Sequence, residues 1–339
     1  MATSRNDDDV TLRMEDIARE AGVSIATVSR VFNQPEVVSP ETLTRVKEIA
    51  ARLRYTPNLT AGSLAGNRSR IIAAVIPVIT NSIFSETIDG LSTVLTGRGY
   101  QLLLGQTWYR DDQQAALIET FLGRRVDGLV LTGITRDRKV RARLKGARIP
   151  IVETWELGAS PIDMLVGFSN EKAAAAAAEY LIGRGRSRLG FIGGLDQRSG
   201  ARLDGFRRAA ADAGLAPPGI VRIPSPSPSS VLAGSQAISQ LLDDQPGTDA
   251  VFCSNDMIAL GVLVECQRRR LAVPGRLAVM GFSDLPIARA VTPSLTTVQV
   301  GAMDIGSRAA TMLLEKIDTG RTARKRIDLG FSIVARESA

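Results

Sequence analysis

From Arg70 onward the chain alternates short, mostly apolar runs with amphipathic helical stretches, and few architectures accept that rhythm. The runs are Ile71–Val78, Tyr100–Leu104, Gly128–Leu131, Ile149–Val152, Leu189–Ile192, Ala250–Phe252 and Leu277–Met280. A strand that is apolar on both faces must be covered on both faces. Such strands, separated by helices, imply parallel sheets sandwiched between helical layers. They are too many for one comfortable sheet. Two doubly wound lobes fit better, with a ligand cleft at the carboxyl ends of the strands. The Ser/Pro run from Pro224 to Ser230 reads as a loop, because the strand–helix rhythm resumes after it.

The first 70 residues have a different texture. Residues 1–9 read as a disordered acidic leader. Over 10–56, Met14, Ile17, Ala18 and Ala21 recur at helical spacing, and Gly22 stops that helix. Ser24 is placed to cap a second helix whose inner face carries Val28, Val31 and Phe32. Ser39-Pro40-Glu41 starts a third: a capping hydroxyl, proline at the first helical position and an acid in the first turn. Leu43, Val46, Ala50 and Leu53 form its apolar stripe. Three short helices with a tight turn between the first two describe a helix-turn-helix. Asn58 to Asn67 has Leu64 as its main apolar anchor, and Gly62 and Gly66 weaken it. It reads either as a linker that becomes helical when bound or as a flexible tether.

Composition removes several functions. The chain of 339 residues has no histidine, which excludes Ser-His-Asp and Cys-His catalysis and most zinc sites. Its two cysteines, Cys253 and Cys266, lie in apolar and helical surroundings and read as buried free thiols. No apolar stretch reaches the length of a membrane span, and the N-terminus lacks the apolar core of a signal peptide, so a cytoplasmic location is expected. Neither a Walker A loop nor a Gly-x-Gly-x-x-Gly fingerprint follows a strand; Phe191-Ile-Gly-Gly194 reads as a tight strand exit. No cofactor and no metal are called for. The formal net charge of +7 favours an anionic partner. Residues 10–70 carry nine Arg/Lys against six Asp/Glu, so the DNA-binding reading rests on pattern more than on charge.

That pattern is specific. Asp16-Ile-Ala-Arg-Glu-Ala-Gly-Val-Ser24, Thr27-Val-Ser-Arg-Val-Phe-Asn33, Val38-Ser-Pro-Glu-Thr42, Arg54-Tyr-Thr-Pro-Asn58 and Leu64-Ala-Gly66 closely resemble, in order and spacing, the LacI/GalR regulators. The resemblance implies an N-terminal all-α helix-turn-helix headpiece plus an α/β, two-lobed, periplasmic-binding-protein-like sensor with parallel doubly wound sheets. It implies boundaries of 10–56 for the headpiece, 57–69 for a hinge helix and 70–339 for the effector-binding and dimerisation domain. Within the last, the first lobe takes about 70–168 and 299–327, the second about 169–298 and 328–339.

The resemblance also implies a recognition helix from about Ser24 to Phe32 in the major groove, with Ile25, Ala26 and Arg30 at base-reading positions. Arg30 can pair bidentately with guanine, whereas Ile25 and Ala26 can touch only thymine methyls. Ser24, Thr27, Ser29, Asn33, Ser39, Thr42, Tyr55 and Asn58 match positions that mainly fix the backbone. For Thr27 and Ser29, capping or facing solvent is the competing reading. Arg13 departs from the family, which usually has Ser or Thr as the cap of the first helix; either that cap is weak or Arg13 adds a phosphate contact. Asn58 to Asn67, with Ala61 and Ala65, becomes a hinge helix, and Leu64 from each subunit wedges into the minor groove. That requires a homodimer on a pseudo-palindromic operator.

The remaining chain is similar to the family's sensor throughout: Asp127-Gly-Leu-Val-Leu131, Arg202-Leu-Asp-Gly-Phe206, Ser254-Asn-Asp-Met-Ile-Ala-Leu-Gly261, Val279-Met-Gly-Phe-Ser-Asp284 and Pro293-Ser-Leu-Thr-Thr-Val298. Ile83, Phe84, Arg202, Asn255, Ser283 and Asp284 match pocket positions, with core packing as the rival role of the apolar pair. Asn81-Ser-Ile-Phe-Ser-Glu86, Val166-Gly-Phe-Ser-Asn170, Val251-Phe-Cys-Ser-Asn-Asp256, Glu265-Cys-Gln-Arg268 and Asp328-Leu-Gly-Phe331 resemble the gluconate-utilisation repressor branch, which adds Asn81 to the ligand set. Sugar-reading relatives commonly have Asp where Ser283 stands, and here Arg198 joins Arg202 on one pocket-facing segment. One acid fewer and two guanidiniums favour an anionic effector such as gluconate. Arg198 pointing to solvent or pairing with Asp196 is the alternative.

The expectation is therefore a sequence-specific DNA-binding transcription regulator, a repressor controlled by a small sugar acid and associated with the nucleoid when bound to operator. A neutral sugar or a phosphorylated sugar acid is the alternative effector. A sugar-processing enzyme and an exported binding protein are the rival classes. The first would need turnover; the second would need an export signal and no DNA reader.

Overall fold

The computed structural model describes residues 12–55, 68–79, 82–158, 160–224 and 230–339. The chain divides into two compact units, Met1–Ser69 and Arg70–Ala339.

In the first unit α1 (Met14–Ala21), α2 (Ile25–Asn33) and α3 (Pro40–Arg52) pack around Ile17, Ala18, Ala21, Val28, Val31, Val46 and Ala50. Full burial of Ile17, Val28, Val31 and Val46 contributes about 1.5–3 kcal/mol each, which matters in so small a core. Arg13 cannot accept a hydrogen bond, so it offers α1 no side-chain cap. The reverse bond survives: Asp16 Oδ2 accepts the Arg13 N–H at 3.0 Å. Gly22 ends the helix at φ +65°, a conformation in which a β-carbon would be strained. Ser24 and Ser39 cap α2 and α3 by accepting the N–H groups of Thr27 and Thr42.

The second unit holds two sheets. The first contains β1 (Ile71–Ile76), β2 (Gln101–Gln106), β3 (Gly128–Thr132), β4 (Ile151–Thr154), β5 (Met164–Gly167) and β11 (Arg326–Asp328), in the order β11-β5-β4-β3-β1-β2 and all parallel. The second contains β6 (Leu189–Gly194), β7 (Gly219–Ile223), β8 (Ala250–Cys253), β9 (Ala278–Ser283), β10 (Thr296–Gln299) and β12 (Ser332–Val334), in the order β12-β10-β9-β8-β6-β7. Only the edge strand β12 is antiparallel there. The apolar runs of the sequence lie on seven of these strands. The run Ile149–Val152 starts late, at Ile151, because Pro150 has no N–H to give the ladder.

Helices cover both faces: α4 (Ser85–Thr96), α5 (Asp111–Gly123), α6 (Arg138–Gly146) and α12 (Ala302–Thr319) on the first sheet; α7 (Asn170–Gly183), α8 (Gln197–Asp212), α9 (Val231–Asp244) and α10 (Asp256–Arg268) on the second. The short α11 (Pro286–Ala290) contacts α10. Where α4 crosses α12, a β-carbon on Gly90 would stand 2.3 Å from Met303 O, and one on Gly306 would stand 2.1 Å from Thr87 O. The two backbones touch because both positions are glycine.

The chain passes between the sheets three times: after β5, between β10 and α12, and between β11 and β12. A run of buried aromatics spans both lobes. Phe84 meets Trp155 at 5.2 Å, Trp155 meets Phe168 at 6.0 Å, Phe168 meets Phe282 at 5.8 Å and Phe282 meets Phe252 at 6.5 Å between ring centroids. Both cysteines are buried and free. Burial pushes the Cys266 thiol up to about 11 and raises that of Cys253 as well, which leaves them unreactive.

Candidate functional site

The outward face of α2 carries Ile25, Ala26 and Arg30, all exposed, while Val28 and Val31 turn inward. Ile25 keeps 48% of its surface open, which suits a methyl contact in a groove. Arg30 makes no ion pair among the described residues, so its guanidinium is available to an acceptor outside the unit. Ser24 and Thr27 share a hydrogen bond at 2.9 Å, and Ser39 donates to Thr42 Oγ1 at 2.9 Å. These hydroxyls therefore have structural partners at the two helix starts. Ser29 is half-buried, and Tyr55 packs its ring 6.1 Å from that of Phe32. Asn33 closes α2. Asn58, Ala61, Leu64 and Ala65 lie outside the described residues, as do the acidic leader and Asn81.

In the second unit a cleft of about 270 Å³ opens at the carboxyl ends of the strands, lined from the first sheet by Thr107, Tyr109, Thr132, Gly133 and Glu156 and from the second by Asp196, Gln197 and Arg198. Sheet order explains the place: β1, β3 and β4 are central, and the loops leaving them meet the start of α8. Asp196 caps α8 by accepting the N–H groups of Arg198 and Ser199 at 3.2 Å each.

Arg198 is buried, neither pointing to solvent nor forming an ion pair among the described residues. Its guanidinium stands 5.6 Å from the Phe84 ring and 6.0 Å from Tyr109, and Nη1 donates to Thr132 O at 3.3 Å. Arg202, one turn later, lies deeper. It stacks 3.7 Å over Phe282, donates from Nε to Asn170 Oδ1 at 2.9 Å and from Nη1 to Ser254 O at 2.7 Å. Burial pulls its pKa down to about 10; Asp196 partly offsets this, and the like charge of Arg198 lowers it further. Burial likewise raises Tyr109, against the pull of Arg198. The cleft wall mixes charges, with Arg110 and Arg198 beside Asp111, Glu156 and Asp196, and Arg198 and Arg202 are already held in place by their contacts.

The acidic counterpart is Glu156, which the sequence reading missed. Its Oε1 accepts from Arg136 at 3.2 Å, while Oε2 is buried without a hydrogen-bond partner in the structure. It follows β4 by two residues, so the rule that ligands bind at strand carboxyl ends could have found it. Tyr109, at φ +60° three residues after β2, falls under the same rule.

Most of the other described ligand candidates have structural partners. Phe84 and Ile83 are buried, and Phe84 joins the aromatic run. Asn255 caps α10 through Oδ1, which accepts the Ile258 N–H at 2.9 Å. Asp284 is held by Arg336 at 2.5 Å and by Gln299 at 3.0 Å. Ser283 Oγ is buried without a partner. Of the described residues in the expected set, only Arg198 lines the cleft, and Phe84 and Arg202 pack beside or beneath it. Among the described residues no acid or thiol cluster could hold a metal ion, and no helix is long and apolar enough to cross a membrane.

A three-helix reader with an open recognition face, carried on the same chain as a two-sheet unit with a cleft at its strand ends, is the build of a DNA-binding transcription regulator. Residues 13–58 match the bacterial regulatory proteins of the lacI family, and residues 178–339 match the periplasmic binding protein-like domain. The chain is 39% identical over 326 residues to the HTH-type transcriptional regulator GntR of Pseudomonas aeruginosa, covering 96% of this chain and 95% of that protein. A LacI family transcriptional regulator from Silicibacter pomeroyi superposes with a TM-score of 0.89 at 30% identity, over 96% of this chain and 99% of that one. The transcription regulator GntR from Chromobacterium violaceum gives 0.75 at 39% identity, over 79% and 98%. This chain belongs to the LacI family. It is a DNA-binding transcription regulator and, like these relatives, not an enzyme.

Proposed function

We propose that the protein is a homodimeric repressor whose hold on a pseudo-palindromic operator is controlled by a small sugar acid such as gluconate. The observation that carries this reading is Arg198: a buried guanidinium at the cleft wall with no carboxylate partner among the described residues. A buried cation without a counter-charge is costly, and a ligand carboxylate would supply one bidentately. Glu156 Oε2, orphaned on the same cleft, would accept from ligand hydroxyls and would repel a phosphate dianion. That favours a polyhydroxy acid over its phosphorylated form. The relatives named GntR support the same branch.

In this reading residues 10–56 read bases through Ile25, Ala26 and Arg30, residues 57–69 form the hinge with Leu64 as wedge, and residues 70–339 sense the effector and dimerise. Ligand would close the two lobes and bias the hinge. Release of the operator requires the ligand to discriminate between the two states by a few kcal/mol. The test is a titration of the protein on its palindromic upstream DNA at fixed salt, with and without gluconate. Loss of affinity with gluconate is expected, and binding that gluconate leaves unaltered overturns the effector. Sedimentation of the free protein checks the dimer.

A further inference from the structure

All strands of the first sheet run parallel, so every loop that feeds one of them opens on the same end of that lobe. The chain arrives at this end from the DNA-reading unit, since Ile71 opens β1. The feeding loops are lopsided in charge. Arg124 and Arg125 precede β3, Lys145 and Arg148 precede β4, and the run Arg321-Thr-Ala-Arg-Lys-Arg326 leads into β11. Every cation in these three loops is exposed, and none forms an ion pair among the described residues.

The nearby acids are already engaged. Asp163 holds Lys316, Asp318 holds Arg98 at 2.8 Å, Glu119 holds Arg143 at 2.7 Å, and Asp127 accepts the Arg70 N–H at 2.9 Å. The corresponding end of the second sheet is built differently. There Arg186 and Arg276 donate to backbone carbonyls, and Arg269 pairs with Glu265 and Asp243. Arg188 and Arg270 are exposed there without an ion pair among the described residues, but they are two scattered cations, whereas the three loops of the first lobe gather theirs along one band.

The strands β11, β5, β4, β3 and β1 are neighbours in that order. At about 4.8 Å per strand the band runs roughly 19 Å from the basic loop to the start of β1. Like charges crowded over that width repel one another until a polyanion neutralises them. A DNA duplex offers one negative charge per about 1.7 Å of its axis.

We infer that this band is a second DNA contact, gripping the phosphate backbone of the duplex that α2 reads and contributing affinity without base recognition. The inference rests on operator binding by the first unit. It takes as occupant a polyanion that the same chain already binds.

The test uses the full chain and a duplex of about 60 base pairs that the protein selects from a random-sequence pool. The variant combines Arg148→Gln, Arg321→Gln, Arg324→Gln and Lys325→Gln, with circular dichroism and gluconate binding as controls for the fold. The slope of log affinity against log salt should become shallower by about 0.9 for each phosphate that the variant no longer neutralises. Affinity should fall by the same factor on the selected duplex and on a scrambled one, because phosphate contacts carry no sequence information. An unchanged salt slope in the folded variant overturns the inference and leaves the operator reading intact, pointing to an acidic protein partner or mere solvation. A weakening confined to the selected sequence also overturns it. Failure to select any duplex overturns both readings together.

Discussion

Arg198 on α8 places its guanidinium 5.6 Å from the ring of Phe84, so a side chain of the second lobe closes over an aromatic of the first. The same guanidinium reaches Thr132 O at the end of β3. This one residue therefore belongs both to the cleft wall and to the seam between lobes. A bound anion would compete for it and change how firmly the seam is held.

Replacing Arg198 by Ala should weaken gluconate binding about 10- to 100-fold, the worth of a charge-assisted hydrogen bond at about 1.5–3 kcal/mol. DNA affinity without ligand should stay near that of the parent. Calorimetric titration with gluconate reads the first and fluorescence anisotropy the second. Equal ligand affinity in the variant would remove Arg198 from the site.

Arg30→Ala should cost about 1–3 kcal/mol on the selected duplex and relax base preference at one position in each half-site. Non-specific binding should change little. Competition with duplexes altered one base at a time measures both, and an even loss across all sequences would reassign Arg30 to the phosphates.

Burial holds the Asp256 carboxyl at about 6 against an ordinary 3.8, although it accepts from Leu285 N–H at 2.7 Å and Thr297 Oγ1 at 2.6 Å. The folded chain thus keeps this proton where the unfolded chain has lost it. The contribution is full below about pH 4 and is lost as the pH rises through about 6, a change of about 3 kcal/mol. Urea unfolding of Asp256→Asn should be less pH-dependent than the parent over that window. Parallel curves would mean that the carboxyl ionises normally inside the fold.

Gly90→Ala should lower the urea midpoint. Alanine favours a helix by about 1 kcal/mol over glycine, but its β-carbon would drive into Met303 O of α12. Backbone cannot swing aside as a side chain can, and overpacking of this kind costs about 1–3 kcal/mol or more. An unchanged or raised midpoint would show that α12 can slide to make room.

Much of this arrangement is written in local chemistry. Ser24, Ser39-Pro40 and Gly22 mark the reader's helices because caps and a left-handed turn depend on few neighbours. The central strands are legible because burial on both faces makes them apolar. Strands β7, β10, β11 and β12 sit at or near sheet edges and keep polar residues such as Arg222, Thr296, Arg326 and Ser332, so no apolar run announces them. At the cleft, Arg198 could be argued from charge, being on the same helix as Arg202. Glu156 and Tyr109 come from loops of a different sheet, and only the fold brings them opposite Arg198. Asp284 reads as a ligand group in sequence because nothing local reveals Arg336, which lies 52 residues further on.

The three passages of the chain between the sheets also set an order on synthesis. β5 leaves the ribosome early, yet its edge partner β11 follows only after five of the second sheet's six strands and α12, about 8–30 s later at ordinary elongation rates. Throughout that interval the first sheet has an unpaired border, the kind of edge that recruits stray strands. Neither lobe can be completed before the other has largely been made, so the nascent protein matures as one body, and a stall between β6 and β11 strands two half-built sheets together.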